Sequence, residues 1–252
     1  MPTKKTIQNT LAAETQQMLR QRFTTLKGEL GVEVECIISH SNLNVVENMI
    51  RQKNWENGYD GSIRTSNSGD GDGREIKLRY DLVDIDRLFQ DYEKLAELIK
   101  VNKSCGLHFH ISFKDPIVYF KLASYDFVKF FQDGITALFT TEAERYRLSC
   151  RFCSLYASEQ NFSTYANKQL NSPSRCGESR YKAINFNAYN LHKTIEFRIF
   201  APTVKIEVFK KYVLFLLRTI EEYIANNKLS IDVVSLKDTM IAAKPIYIEE
   251  FL

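Results

Sequence analysis

Four stretches of this chain set two polar side chains two residues apart among apolar ones. They are Gly31-Val32-Glu33-Val34-Glu35, the run from Cys105 to Ile111 with His108 and His110, Ala183-Ile184-Asn185-Phe186-Asn187, and the run from Thr194 to Phe200 with Glu196 and Arg198. A β-strand turns successive side chains to opposite faces, so each stretch predicts one polar face and one aliphatic or aromatic face. Glu75, Lys77 and Arg79 alternate with Ile76, Leu78 and Tyr80 in the same way. A plain antiparallel strand with one solvated face also alternates, and that is the commoner origin of any single such stretch. Solvated faces usually draw on Lys, Thr, Ser and Gln, whereas these carry Glu, His, Asn and Arg. Their joint occurrence predicts a sheet with one functional face.

Glu33, Glu35, Glu75 and Glu196 gathered on that face would repel one another unless cations sat among them. Like charges at ~4 Å cost on the order of 4 kcal/mol at an intermediate dielectric, so the face calls for bound metal or raised pKa values. An oxygen-rich donor set with a single imidazole favours magnesium or manganese over zinc, and such ions suit ATP. The His108-x-His110 pair is a spacing that recurs at metal sites, while Asn185-x-Asn187 alone says little. Arg180 and Lys182, just upstream, are surface charges by default.

Elements must position these groups. Hydrophobic periodicity predicts an amphipathic helix over 6–26, a strand over 31–39, a helix over 42–55 ended by Asn57-Gly58, and a turn over 59–63 leading into a short strand. The loop 66–73 holds no apolar residue; it starts like a calcium loop but lacks the later Glu and the flanking helices. A helix capped by Asp84 and running to Lys100 is expected next, then helical structure from Pro116 to about 139 and on toward Cys150. Residues 151–177 read as a surface loop or short helices that could cover a substrate. Residues 188–193 have the length of a hairpin connection, and helices follow over 205–225 and 235–243. With no internal repeat and no linker, 1–252 reads as one domain, with 1–28 as an N-terminal helical arm and 205–252 as C-terminal helices.

The bulk properties exclude several classes. A hydrophobic fraction of 44% with 26% charged residues is that of a globular chain. A formal charge of +3, interspersed, gives no electrostatic signal for nucleic acid. The longest wholly apolar run, Tyr212 to Leu217, is far short of the ~20 residues that cross a bilayer, and no signal-peptide core opens the chain, so a cytoplasmic location and no membrane partner are expected. Cys36, Cys105, Cys150, Cys153 and Cys176 form no regular framework and read as reduced thiols. Cys150 and Cys153 make a lone Cys-x-x-Cys without the second pair that a zinc knuckle needs.

The order of the motifs carries a resemblance. Gly31-x-Glu33-x-Glu35, Asp60-Gly61-Ser62, Glu75-Ile76, Cys105-Gly106-Leu107-His108-x-His110, Arg180-Tyr181 with Asn185, and Thr194-x-Glu196-x-Arg198 together resemble the amidoligase family, over about residues 31–203. That family is a branch of the carboxylate-amine ligases related to glutamine synthetase and glutamate-cysteine ligase. The resemblance implies an α+β fold, with an antiparallel β-sheet whose polar face binds metal and nucleotide and with helices packed on the other face. It implies ATP and Mg2+, with Mn2+ as a substitute, and an acyl-phosphate route to an amide or peptide-like bond. Glu33, Glu35, Glu75, His108 and Glu196 would be metal ligands. Arg198 would stabilise the transferring phosphoryl group beside Glu196, His110 would lie on the nucleotide side, and Arg180 would hold phosphate or the substrate carboxylate. Lys182 and Asn185 would join the nucleotide contacts. The partners implied are a carboxylate and an amine from small molecules, peptides or proteins. One departure stands out: family members often carry Ser-Pro shortly after the glutamate equivalent to Glu75, where this chain has Lys77-Leu78-Arg79.

Two other classes fit parts of the pattern. A transition-metal hydrolase or cupin-like enzyme would be built on His108 and His110. A non-catalytic binding module could keep the fold, although a decayed site has no reason to retain a costly cluster of like charges.

Overall fold

The computed structural model describes residues 26–65, 71–171 and 181–226. Almost all of the arm expected at 1–28, the loop residues 66–70, Arg180, Cys176 and the helix expected at 235–243 lie outside the described residues. Strands are β1 (Gly28–Ile38), β2 (Glu56–Tyr59), β3 (Asp72–Asp81), β4 (Ile99–Lys100), β5 (Leu107–Phe113), β6 (Ile184–Asn185) and β7 (Ile195–Phe200). Helices are α1 (His40–Lys53), α2 (Ile85–Ala96), α3 (Pro116–Leu122), α4 (Tyr125–Leu138), α5 (Glu142–Leu148), α6 (Glu159–Asn171), α7 (Ala188–His192) and α8 (Ile206–Asn226). The strands form one antiparallel sheet in the order β2-β3-β1-β5-β7-β6, with β4 beside β1. The fold is α+β.

Alternation separates the two faces of this sheet. Leu30, Val32 and Val34 of β1, Ile76 and Leu78 of β3, Phe109 and Ile111 of β5 and Phe197 of β7 are all buried. They meet apolar residues of the helices, among them Leu88 and Tyr92 of α2, Phe131 of α4 and Phe209 and Val213 of α8, in one continuous core. Tyr92 stacks on Phe209 with ring centroids 3.6 Å apart, and Phe131 meets Phe197 at 5.1 Å. Each such side chain contributes about 1.5–3 kcal/mol by leaving water. Helices therefore cover one face, and the odd-numbered polar residues of β1 and their neighbours are left on the other.

Several elements differ from the pattern read in the sequence. Helix α1 stops at Asn54, which takes the left-handed conformation at φ 54°. Asn57 and Gly58 instead join β2 and pair with Ile76 and Glu75. The helix expected from Asp84 to Lys100 is shorter: α2 ends at Ala96, Ile99–Lys100 pairs with β1, and a 3-10 turn over Leu82–Asp84, capped by Asp81, precedes α2. Asp84 makes no capping hydrogen bond. Helical structure from Pro116 breaks after Leu122, where the Ser124 hydroxyl accepts from Phe127 N and starts α4. The expected hairpin exists as an antiparallel β6–β7 pair, but its connection winds into α7 and takes Asn187 out of the strand.

Candidate functional site

Register decides which side chains meet. On β1, Glu33 lies opposite Lys77 of β3 and His108 of β5, Glu35 opposite Glu75, and Gly31 opposite His110. Farther across, His110 lies opposite Glu196, which in turn lies opposite Asn185. Glycine leaves room for two close approaches around these pairs. A Cβ on Gly106 would sit 2.6 Å from His108 Nε2 and 3.0 Å from Glu35 Oε2, and one on Gly31 would sit 3.2 Å from His110 Cβ.

The resulting cluster is dense. His108, only 3% exposed, places Nδ1 3.4 Å from Glu33 Oε2 and 3.7 Å from Glu196 Oε1, with Nε2 3.7 Å from Glu35 Oε1. His110 Nε2 faces Glu33 Oε1 at 3.4 Å and Glu196 Oε1 at 3.8 Å, while its Nδ1 lies 3.1 Å from Thr194 Oγ1. Arg198 pairs with Glu196 Oε1, and Asn185 Nδ2 donates to Glu196 Oε2 at 2.6 Å. Lys77 Nζ bridges Glu33 Oε1 and Glu75 Oε1, 3.1 Å from each. Donor atoms gather in two sets, Glu33 with His108 and Glu196, and Glu35 with Asp60 and Glu75, each spanning no more than 4.8 Å.

Electrostatics of the cluster follow from these neighbours. Burial works to raise the Glu33 and Glu196 pKa values. The imidazoles of His108 and His110 overcome it at Glu33, and Arg198 with the same imidazoles overcomes it at Glu196, so both carboxyls are held below the usual range. Burial and the Glu33 charge push Glu75 upward despite Lys77. Burial would lower the His110 pKa, but the facing Glu33 and Glu196 carboxylates raise it.

The cluster floors a cavity of about 1200 Å³. Among the described residues, four buried side-chain atoms have no hydrogen-bond partner, and three of them, His110 Nε2, Arg147 Nε and Asn187 Oδ1, belong to residues that line this cavity. Buried polar groups are nearly always satisfied, so these atoms are open to a partner from outside the chain, water or ligand. The all-carboxylate set suits a hard cation held through oxygen, and the Glu33-His108-Glu196 set suits magnesium, manganese or a transition ion.

Glu33, Glu35, Glu75, His108, His110, Asn185, Glu196 and Arg198 all line the cavity. Lys182 does not join them. It pairs through a β-bridge with Ser154, and its ammonium lies over the rings of Tyr165 at 4.2 Å and Tyr156 at 5.1 Å, near Asn161 Oδ1. Arg180 lies outside the described residues. Asn185 reaches the site as the hydrogen-bonding partner of Glu196, with its own Oδ1 accepting from Asn187 N at 3.0 Å.

Sequence patterning left some lining residues without a role. Asp60 is placed by the turn after β2, where its N donates to Gly73 O and its carboxylate accepts from Ser62 N; the Asp-Gly-Ser motif was its signal. Arg147, at the end of α5, donates from Nη2 to Arg198 O at 2.5 Å. Nothing in the local pattern of α5 marks it, because its contact with Arg198 spans 51 residues. Among the described residues no helix is long and apolar enough to cross a membrane. No protein-family model matches this chain, and neither a curated protein nor a solved structure gives a match.

Proposed function

We propose that this chain is an ATP- and magnesium-dependent carboxylate-amine ligase, of the kind its motif order resembles. The observation that carries the reading is the concentration of unsatisfied buried groups, His110 Nε2, Arg147 Nε and Asn187 Oδ1, around a cavity floored by two carboxylate-rich donor sets. A triphosphate with its cations would supply both the anionic oxygens that the arginine lacks and the positive charge that the carboxylates lack. About 1200 Å³ is larger than the usual small-molecule site, with room for a second substrate beside a nucleotide.

In this reading Glu33, His108 and Glu196 hold one cation, and Glu35, Asp60 and Glu75 hold another. Bound there, the cations neutralise phosphate charge. Arg198, fixed by Glu196 at one end and by Phe152 O at the other, presents its guanidinium to the phosphoryl group as charge shifts onto the leaving oxygen. Asn185 keeps the Glu196 carboxylate in one orientation. The carboxylate substrate takes the γ-phosphoryl group, ADP departs, and the amine displaces phosphate from the acyl carbon. The His-x-His alternative is less well supported, because the set of donors gathered within 4.8 Å contains His108 without His110.

Full-length protein incubated with magnesium, ATP and pooled amino acids and peptides is expected to release ADP and phosphate together. It is also expected to show a nucleotide-dependent rise in thermal stability that requires the divalent ion. A protein that holds stoichiometric zinc or iron and never binds nucleotide would overturn this proposal in favour of transition-metal chemistry.

A further inference from the structure

Cys150 and Cys153 stand apart from the donor sets described above, since those sets contain no cysteine. Both thiols are free and buried, but in different ways. Cys150 lines the cavity, whereas Cys153 is fully enclosed behind it. The 3-10 turn Arg151–Cys153 joins them, with Cys153 N donating to Cys150 O at 3.2 Å. A turn closed by such a bond keeps its outer Cα atoms within about 7 Å, the span a disulfide bridges. Cys153 Sγ lies 3.3 Å from Arg147 O.

Surroundings differentiate the two thiols. The neighbouring Cys153 thiol brings the Cys150 pKa down to about 5 against the effect of burial, helped by the nearby Phe152 N–H and the charges of Arg147 and Arg151. The partner interaction and burial push Cys153 far upward. Elsewhere burial pushes Cys36 up to about 12 and raises Cys105. The turn also touches the phosphoryl-site arginine, since Phe152 O accepts from Arg198 Nε at 3.5 Å; Arg147 of α5, whose carbonyl accepts from Cys150 N and Cys153 Sγ, donates from Nη2 to Arg198 O.

We propose that Cys150 and Cys153 form a redox-active thiol pair in the cavity wall, with Cys150 as the attacking thiolate, Cys153 as the resolving thiol and a low-molecular-weight disulfide as co-reactant. The Cys150 thiolate attacks one sulfur of the small disulfide, whose S–S bond breaks to release one thiolate and leave a mixed disulfide on Cys150. Cys153 then attacks the Cys150 sulfur, passes its proton to the departing thiolate and closes the protein disulfide. Two protein thiols are oxidised and one small disulfide is reduced to two thiols. Closing the bond fixes covalently a turn whose Phe152 O holds Arg198 Nε, so the pair reports redox state to the face that carries Arg198.

Oxidised glutathione added to the reduced full-length chain provides the test, read by intact mass and peptide mapping. Wild type is expected to lose two hydrogens, with the bond mapped to Cys150 and Cys153. Cys153→Ser should stop at one glutathione on Cys150, formed ahead of any adduct on Cys36, because Cys150 lines the cavity and Cys36 is enclosed. Cys150→Ser should form neither product. Mapping of the first adduct to Cys176 or Cys36, or an unchanged rate in Cys150→Ser, overturns the proposal. The wild-type map alone decides if a variant fails to fold. No nucleotide enters the assay, so its failure and the failure of the ligase reading are separate results.

Discussion

Glu144 and Glu196 are both carboxylates almost sealed from solvent, at 2% and 4% exposure, yet their surroundings differ in kind. Glu144 is saturated. Its Oε2 accepts from Thr140 N and Thr141 N at 2.9 Å each and from the Thr141 hydroxyl at 3.0 Å, while its Oε1 accepts from Tyr212 OH at 2.9 Å and from Lys211. Those bonds complete a reciprocal cap on α5 and tie that helix to α8. Glu196 has strong partners in Asn185 and Arg198, but its Oε1 also confronts two imidazoles at 3.7 and 3.8 Å in a cluster with three further glutamates, where His110 Nε2 lies near carboxylates without a well-formed hydrogen bond. Burial of a carboxylate alone therefore does not mark function. A saturated one holds elements together, and one left in a crowded, partly unsatisfied cluster beside a cavity is available to a ligand.

The largest effect that would break this comparison is on turnover. Replacing Arg198 by Ala removes the fixed positive charge that the proposal assigns to the phosphoryl group, with an expected fall in ATP-dependent phosphate release of about a hundredfold or more. Glu196→Ala should fall as far, because it removes a cation ligand and frees Arg198. Thermal unfolding should stay cooperative in both. Full activity in either variant would remove its residue from the site.

Glu144 supplies the opposite signature. Glu144→Ala leaves Thr140 N, Thr141 N and the Tyr212 hydroxyl without their acceptor and should cost about 3 kcal/mol of stability in urea unfolding, with nucleotide affinity unchanged in the folded protein. Burial works to raise the Glu144 pKa, but Lys211, the two backbone N–H groups and Tyr212 bring it down from 4.5 to about 2. The sign follows: a depressed carboxyl stabilises the fold fully above its unfolded value and loses that contribution as pH falls from about 4.5 toward about 2. The gap between wild type and Glu144→Gln should therefore narrow across that window. A gap that is constant with pH would assign the stabilisation to packing instead.

The sequence made one of these two regions legible and hid the other. Alternation is local, so the polar faces around Glu33, His108 and Glu196 could be read from spacing alone, as could the apolar partners Val32, Phe109 and Phe197. Register is not local. That Lys77 faces Glu33, and that Glu75 faces Glu35, depends on the pairing of β1 with β3 across the unpatterned loop before Asp72. Glu144 was similarly hidden, since its capping box is written in Thr141-x-x-Glu144 but its bonds to Lys211 and Tyr212 span 67 and 68 residues. Local stop signals were misplaced for a related reason: Asn54 can adopt the left-handed turn itself, which frees Asn57-Gly58 to extend along β3.

Lys77 sharpens the comparison with the smallest expected effect. Its ammonium lies 3.1 Å from a carboxylate oxygen of both Glu33 and Glu75, so one built-in positive charge already sits between the two proposed cation sets. It also occupies the stretch after Glu75 where the chain departs from the amidoligase motifs that it otherwise resembles. The two carboxylates hold its pKa above the ordinary lysine value despite partial burial, so it stays charged at neutral pH. A charge at that distance opposes a divalent ion sharing the same carboxylates. Lys77→Met removes the opposition while keeping the stem, and should tighten Mn2+ binding by about tenfold, roughly 1.4 kcal/mol, in a titration followed by calorimetry. Weaker binding in the variant would mean instead that Lys77 positions Glu33 and Glu75 for the ion. The same substitution should leave the acid unfolding of the Glu144 network unchanged, because Lys77 is not among the groups that hold that carboxylate.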